Sequence, residues 1–542
     1  MKRALAAWPT VALLVLVVCG CGTTAPRPAH LEPPSTIAVR PRCGELEAGA
    51  RQDRTACDKE WSVLVYMMAD APGLPAPALW NLSQMEGQLP DAAASAASGR
   101  DADIVVELDV EQPPGIRRFQ VLGDRSAFVP LRSLADYAAP AAAIPRSPIV
   151  ESLDEARAEA PPATPRSSLV DFLSWGIAHY PARHYAVIVW GHGFGFRPAG
   201  VDDRCCETQT PRGGIALDVS RHTVIDTPAL RAALAETSTA YLAGRPFDLY
   251  LSDACLMQTI EVAAELAGVV RYIGGAEAKL DPLGLPYRLV LPLLNGSAPP
   301  PPPSPRCLPE DAACRFAVLL PELIRRGFDP QGGLYAIPDI AAQARDNLTY
   351  SVLDARLLAD RVVPAMHALG SALAAYLREA PYQQDRTLAL RDLLLPHRPS
   401  AVRPPFVYAF AGGGRDIGSL LVLLRARLTS VADRDTPAAA SLLRVIDATE
   451  AALRSTVLAS VLGPRYDDRA YAGMLGVSVW LPIDAEDYKA HGSWFAAARF
   501  YQAPKKAPHA TSPWSAWLQE LFVPLRQAER DEHLHGQLEL RR

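Results

Sequence analysis

Short apolar runs that alternate with helix-forming stretches narrow the possible folds of this chain more than any other feature. Residues 62–67, 103–108, 184–190, 248–252 and 271–275 are rich in β-formers and have strand length. Helical patterning fills the intervals at 78–87 and at 167–178, where a Ser stands at the start. A further helix opens at Asp226-Thr-Pro, with Pro near its first turn. Residues 119–122 add a hairpin strand. Parallel neighbours need a long crossover, so this alternation predicts a mainly parallel α/β sheet with helices on both faces. Ligand sites in such sheets gather at the C-terminal ends of the strands.

Two of those strand ends carry reactive side chains. Residues 248–252 are broken by Asp253 and Ala254, and Met257, Ile260, Val262, Ala264 and Leu266 then suit a buried helix. Cys255 is thus expected at a strand-to-helix turn, where unpaired N–H groups and the helix dipole favour thiolate. Taken alone, it is better explained as an inert buried thiol. The strand ending at Trp190, however, runs into Gly191-His192-Gly193-Phe194-Gly195. The 63 residues from His192 to Cys255 leave room for a loop, a crossover helix and the next strand. A Cys/His pair at adjacent strand ends forms a dyad with His as general base and acid.

Several of these stretches resemble the clostripain family of cysteine peptidases. They are Trp61-Ser-Val-Leu-Val-Tyr-Met-Met-Ala-Asp70, Asn81-Leu-Ser-Gln-Met-Glu86, Tyr185 to Gly193, and Ser252-Asp-Ala-Cys255-Leu-Met-Gln-Thr-Ile-Glu261-Val, in the family's order. Weaker similarity continues through residues 333–339 and 476–482, so the resemblance spans roughly 60–490 with long insertions. It implies a caspase-like α/β fold, a dyad of His192 and Cys255, and cleavage after basic residues. An oxyanion hole would use the backbone N–H groups of Gly193 and Cys255. The chain departs from the family at Gly191, where an Asp is usual, and at Phe194, where glycine is usual. The resemblance also suggests that Asp253 binds a basic side chain. In a strand it points to the same side as Cys255, and a substrate cation would relieve its repulsion of the thiolate. The other role open to Asp253 is to cap the following helix. Asp281 is a weaker candidate for a second pocket carboxylate. Relatives matured by internal cleavage draw attention to Arg204, Arg212 and Arg221. Calcium enters only through the resemblance, and no EF-hand loop is present.

The N-terminus, Met1-Lys2-Arg3 followed by an apolar core to Val18, reads as a signal peptide over 1–20. Val18-Cys19-Gly20-Cys21 resembles a bacterial lipoprotein site with lipid on Cys21; an ordinary secretory cleavage near Gly22 is the alternative. Residues 21–58 then form a lipid-anchored, Pro-rich tether. This places the chain in a bacterial cell envelope, held to a membrane by an N-terminal lipid. Cysteine usage suits an oxidising compartment: Cys43 with Cys57 and Cys307 with Cys314 flank short loops, the adjacent Cys205 and Cys206 either bridge each other, pair elsewhere or stay reduced, and Cys255 is left as the free thiol if the other six pair. A net charge of −5 argues against nucleic acid as a partner; protein or peptide substrates are expected.

The chain divides into a caspase-like catalytic domain (59–297), a Pro-rich linker or insertion (298–312), a C-terminal part with an α/β, largely helical subdomain (313–530) and a tail (531–542). Residues 138–166 read as a surface insertion and 194–224 as an active-site loop. Beyond the linker, helices are expected at 315–326, 353–377, 416–428, 438–460 and 514–530, and strands at 333–337, 406–410 and 476–481. The glycine run at 412–418 lacks P-loop residues and is better explained as a plain loop than as an anion site. Glu261 and Glu265 read as structural, and His533 and His535 as part of a frayed tail. The chain has neither a Gly-x-Ser-x-Gly elbow nor a His-Glu-x-x-His helix. The reading is an exported, lipid-anchored cysteine endopeptidase cleaving after Arg or Lys; the alternative is a catalytically impaired surface binding or scaffold protein.

Overall fold

The structure, a computed structural model, describes residues 58–522 except 88–94, 111–114, 125–144, 154–164, 197–212, 282, 330–337, 380–381, 395–409, 411–412, 431–435, 468–470, 483–484 and 503–511. The expected signal peptide, Cys21, the expected tether up to residue 57, Cys43, Cys57, Arg204, Cys205, Cys206, Arg212, the expected strand at 333–337 and the expected tail lie outside the described residues.

The strands are β1 (Lys59–Met68), β2 (Ala102–Val110), β3 (Gly115–Gln120), β4 (Ile149–Leu153), β5 (Ala182–Trp190), β6 (Ile215–Asp218), β7 (Thr223–Ile225), β8 (Phe247–Asp253), β9 (Val270–Gly275), β10 (Thr349–Asp354), β11 (Gly414–Asp416), β12 (Val457–Leu462) and β13 (Ser478–Trp480). Nine of them form one sheet in the order β12-β10-β9-β8-β5-β1-β2-β3-β4. Its centre, β9-β8-β5-β1-β2, is parallel, and both flanks are antiparallel. β6 with β7, and β11 with β13, make two small ribbons.

Side chains of successive residues in a strand point to opposite faces, and β1 shows the consequence. Leu64, Tyr66 and Met68 enter one apolar core, whereas Val63, Val65 and Met67 enter the other. The central strands are therefore apolar throughout, as burial on two faces requires. Helices Pro165–His179, Thr227–Tyr241 and Ile260–Leu266 cover the first face; Pro75–Glu86 and Ala312–Gly327 cover the second. Asp226 caps its helix by accepting the Ala229 N–H at 2.6 Å. Cys307 and Cys314 are joined, and Cys255 is the free cysteine among the described residues.

The C-terminal part contributes to the same sheet, where the structure departs from the expected elements. β10 precedes the helical stretch expected from 353, and that stretch passes through a π-turn at Leu358–Val362 before helix Val363–Arg378. Helix Pro437–Thr456 stops four residues early because Val457–Leu462 pairs with β10. An apolar run at the end of a helix continues the pattern of either element, so only the pairing partner decides. The helix expected to open with a Ser starts earlier, at Pro165. Residues 149–153 of the expected surface insertion form the edge strand β4. Among the described residues no helix is long and apolar enough to cross a membrane.

Candidate active site

β5 and β8 are parallel neighbours with Trp190 opposite Asp253, so the loops bearing His192 and Cys255 leave the sheet side by side. The Gly191 N–H donates to the Asp253 carbonyl at 3.3 Å and ties the two ends. Gly191 sits at φ +146°, and an added Cβ would lie 2.8 Å from the Met68 carbonyl oxygen. That close approach leaves little room for a side chain before the His. Gly193 is pressed harder still: its Cβ would stand 2.2 Å from the Cys255 carbonyl oxygen and 3.1 Å from the Cys255 nitrogen. Among the described residues the N–H groups of Gly193 and Cys255 have no hydrogen-bond partner, which leaves two adjacent donors free.

The His192 loop is held from several sides. Its main-chain carbonyl accepts the Ala216 N–H at 2.9 Å, and the Phe194 N–H donates to Gly214 at 2.9 Å. The ring is half-buried and bonded to the Pro72 carbonyl, and burial pulls its pKa below the ordinary value, so it is a neutral imidazole near pH 7. The Phe194 ring lies 6.0 Å from it.

Cys255 corrects one expectation. It lies in a turn, and the next helix begins only at Ile260 with Thr259 as its cap. The unpaired N–H groups of that helix are thus too far along the chain to favour thiolate, since the dipole acts within the first turn. Burial instead pushes the thiol pKa up; Asp253 and Asp281 add to this and Lys279 opposes it. The thiol faces the Leu280 carbonyl at 3.5 Å. The turn is stitched to the chain after β9 by the Leu256 and Gln258 N–H groups, which donate to Ala278 and Ala276 at 3.1 Å each. Leu256 holds φ +64°, a left-handed conformation that costs a non-glycine residue about 1 kcal/mol.

Asp253 does not cap the helix. Its Oδ2 accepts the Leu285 N–H at 3.0 Å and the Tyr287 hydroxyl at 2.7 Å, while Oδ1 has no partner among the described residues. Burial pushes this carboxyl up to about 6. Asn81 donates its amide to the Pro77 and Leu283 carbonyls, which leaves its Oδ1 without a partner. Both acceptors crowd Gly284: an added Cβ there would meet Asn81 Oδ1 at 2.7 Å and Asp253 Oδ2 at 2.8 Å. Asp281 turns the chain into this loop by accepting the Leu283 N–H at 3.0 Å.

A cavity of about 1090 Å³ takes in His192, Gly193, Asp253, Cys255, Asp281 and Gly284. Pro72, Tyr287 and Gly284 escaped the sequence reading because their roles come from loops remote in the chain; Asn81 lay inside a quoted motif without a role. Glu261 and Glu265 are structural, as read: Glu261 accepts the Trp480 N–H and the Tyr501 hydroxyl, and Glu265 pairs with Arg499. Within the glycine run, Asp416 accepts the N–H groups of Ser419, Leu475 and Gly476. Among the described residues no group of three or more His, Cys, Asp or Glu gathers to hold a metal.

The model of the clostripain family matches residues 156–300, an interval that contains both His192 and Cys255. No curated protein matches. Similar solved structures include an inactive zymogen C11 protease from Parabacteroides distasonis, at 16% identity over 82% of this chain and 97% of that one, with a TM-score of 0.47. Another is a secreted C11 cysteine protease from Bacteroides thetaiotaomicron in complex with an irreversible peptide inhibitor, at 16% identity over 82% and 99%, with a TM-score of 0.45. Overlaps this loose place no residue, and the assignment rests on the matched segment. Both reactive strand ends lie inside the segment, residues 156–300, that matches the clostripain family.

Proposed function

We propose that this protein is an exported, lipid-anchored endopeptidase that cleaves after Arg or Lys through His192 and Cys255. The observation that carries the reading is Asp253, a buried carboxylate two residues before Cys255, in the same cavity, with Oδ1 unpartnered. Buried carboxylates are ordinarily paired, so a substrate guanidinium or ammonium is the partner that completes it.

In this reading the substrate cation enters beside Asp253, with the less buried Asp281 lining the same cavity, and sets the scissile carbonyl against Cys255. The resting pair is thiol and neutral imidazole. His192 takes the thiol proton as sulfur attacks, and the N–H groups of Gly193 and Cys255 receive the developing oxyanion. His192 then gives the proton to the leaving amine, a thioester remains, and water activated by His192 hydrolyses it. The basic, apolar N-terminus ending at Cys21 supports export and lipidation in a bacterial envelope; Cys21→Ala should release the protein from membranes or block its processing. Calcium has no assigned role.

The raised Cys255 thiol favours a second reading, a surface binding protein with impaired catalysis. Peptide-library cleavage by the purified chain, with Cys255→Ala as control, separates the two. Cleavage after Arg and Lys that vanishes in the variant supports the peptidase described. Cleavage elsewhere overturns the specificity, and none at all supports the binding protein.

A further inference from the structure

Arg221 lies between His192 and Cys255, on the turn that joins β6 to β7. In the structure its guanidinium is taken. Nη1 donates to Asp109 at 2.6 Å and Asp218 at 2.7 Å, and its main-chain N–H donates to Asp218 at 2.8 Å. Asp109 belongs to β2 and Asp218 to β6, so one side chain joins the sheet to the β6–β7 ribbon. Two further bonds run beside it: the Val219 N–H donates to the Asp70 carbonyl at 2.8 Å, and the Ser220 hydroxyl to the Asp70 carboxylate at 3.1 Å.

The ribbon's other end reaches the proposed base. Ala216 donates its N–H to the His192 carbonyl, and Gly193 bridges to Ile215. Ala216 holds φ +58°, a left-handed conformation, in the bulge between Ile215 and Asp218. Such a conformation persists only where its surroundings hold it. The segment after β1 closes the frame: Asp70 receives the ribbon, and Pro72, two residues on, receives the His192 ring. Asp70, Asp109 and Asp218 are all buried, so removing Arg221 would leave neighbouring carboxylates in repulsion at the ribbon's anchor.

We propose that Arg221 is a positioning residue for His192: clamped between Asp109 and Asp218, it fixes the β6–β7 ribbon and through Ala216 sets the main chain of the base beside Cys255. This inference rests on the reading of His192 and Cys255 as a dyad. A displacement of about 1 Å at a catalytic group costs on the order of 10²-fold in rate.

The test uses the full chain as wild type, Arg221→Met, Arg221→Lys and Arg221→Met/Asp109→Asn. The double variant relieves the carboxylate repulsion without restoring the clamp, and so keeps the test valid if Arg221→Met does not fold. Active sites are titrated with a covalent thiol inhibitor; kcat per titrated site and KM are then measured on a basic peptide substrate. The expected result is a kcat about 30- to 100-fold lower in Arg221→Met and the double variant, with KM within about 3-fold and partial recovery in Arg221→Lys. A wild-type kcat per titrated site in the folded variants overturns the proposal, as does a loss confined to the number of active sites. Cys255→Ala and His192→Ala, run alongside, tell the two failures apart: turnover persisting in either removes the dyad, whereas dead dyad variants with an unaffected Arg221→Met remove only the positioning role.

Discussion

Two carboxylates at the same edge of the sheet make opposite use of similar surroundings. Asp109, at the end of β2, and Asp253, at the end of β8, are both buried, and burial pushes each up to about 6. Asp109 has a cation from its own chain, Arg221 at 2.6 Å. Asp253 has only neutral donors, the Leu285 N–H and the Tyr287 hydroxyl, and an oxygen without a partner. A carboxylate satisfied from within holds a loop in place. One that is only partly satisfied, in a cavity beside Cys255, the proposed nucleophile, is suited to a cation from outside. Burial and pKa shift do not separate the two roles; the source of the counter-charge does.

The largest expected effect calibrates the comparison. Cys255→Ala and His192→Ala should each lower kcat/KM by on the order of 10⁴-fold, with unfolding midpoints close to wild type, measured with a fluorogenic basic peptide. Substantial turnover in either would detach both carboxylates from the chemistry assigned here.

Next is the specificity of Asp253. Pairing a substrate cation in a partly desolvated pocket is worth about 2–4 kcal/mol, so Asp253→Asn should reduce kcat/KM for Arg substrates roughly 30- to 1000-fold. Substrates with an uncharged residue before the scissile bond should change little. The comparison breaks if both substrate types fall equally.

The pH dependence sharpens it further. In wild type the ratio of kcat/KM for basic over neutral substrates should rise as pH passes through about 6, where Asp253 ionises, and should stay flat in Asp253→Asn. The same shift bears on stability. A folded pKa raised from 3.8 to about 6 contributes stability that is fully present below the unfolded value and lost as pH rises through the folded one. Ionising Asp253 at pH 7.5 thus costs up to about 3 kcal/mol, and Asp253→Asn should raise the unfolding midpoint there but not at pH 4. A lower midpoint at pH 7.5 would show that the bonds from Leu285 and Tyr287 outweigh the buried charge.

The smallest effect on activity is expected away from both carboxylates. Replacing Cys307 and Cys314 together by Ser opens a link between residues seven apart in the chain. It should cost about 2 kcal/mol of stability and leave kcat/KM within about 2-fold. A larger loss of activity would mean that the linker couples to the cavity.

Much of this arrangement was legible in the linear chain. The apolar runs marked the parallel centre of the sheet, Asp226-Thr-Pro marked a helix start, and the two strand ends pointed to His192 and Cys255 at one edge. These features are local: a strand buried on both faces must be apolar throughout, and a cap must sit next to its helix. Tertiary structure alone decided the rest. β12 is a strand rather than the end of a helix because β10 lies beside it, and Cys255 loses the expected helix dipole because Thr259, not Asp253, caps the helix. Asp253 takes its hydrogen bonds from residues 32 and 34 positions away, and Arg221 finds Asp109 at a separation of 112. Local propensity acts over a few residues, whereas burial and counter-charge depend on which distant segments meet, and that is settled only when the sheet assembles.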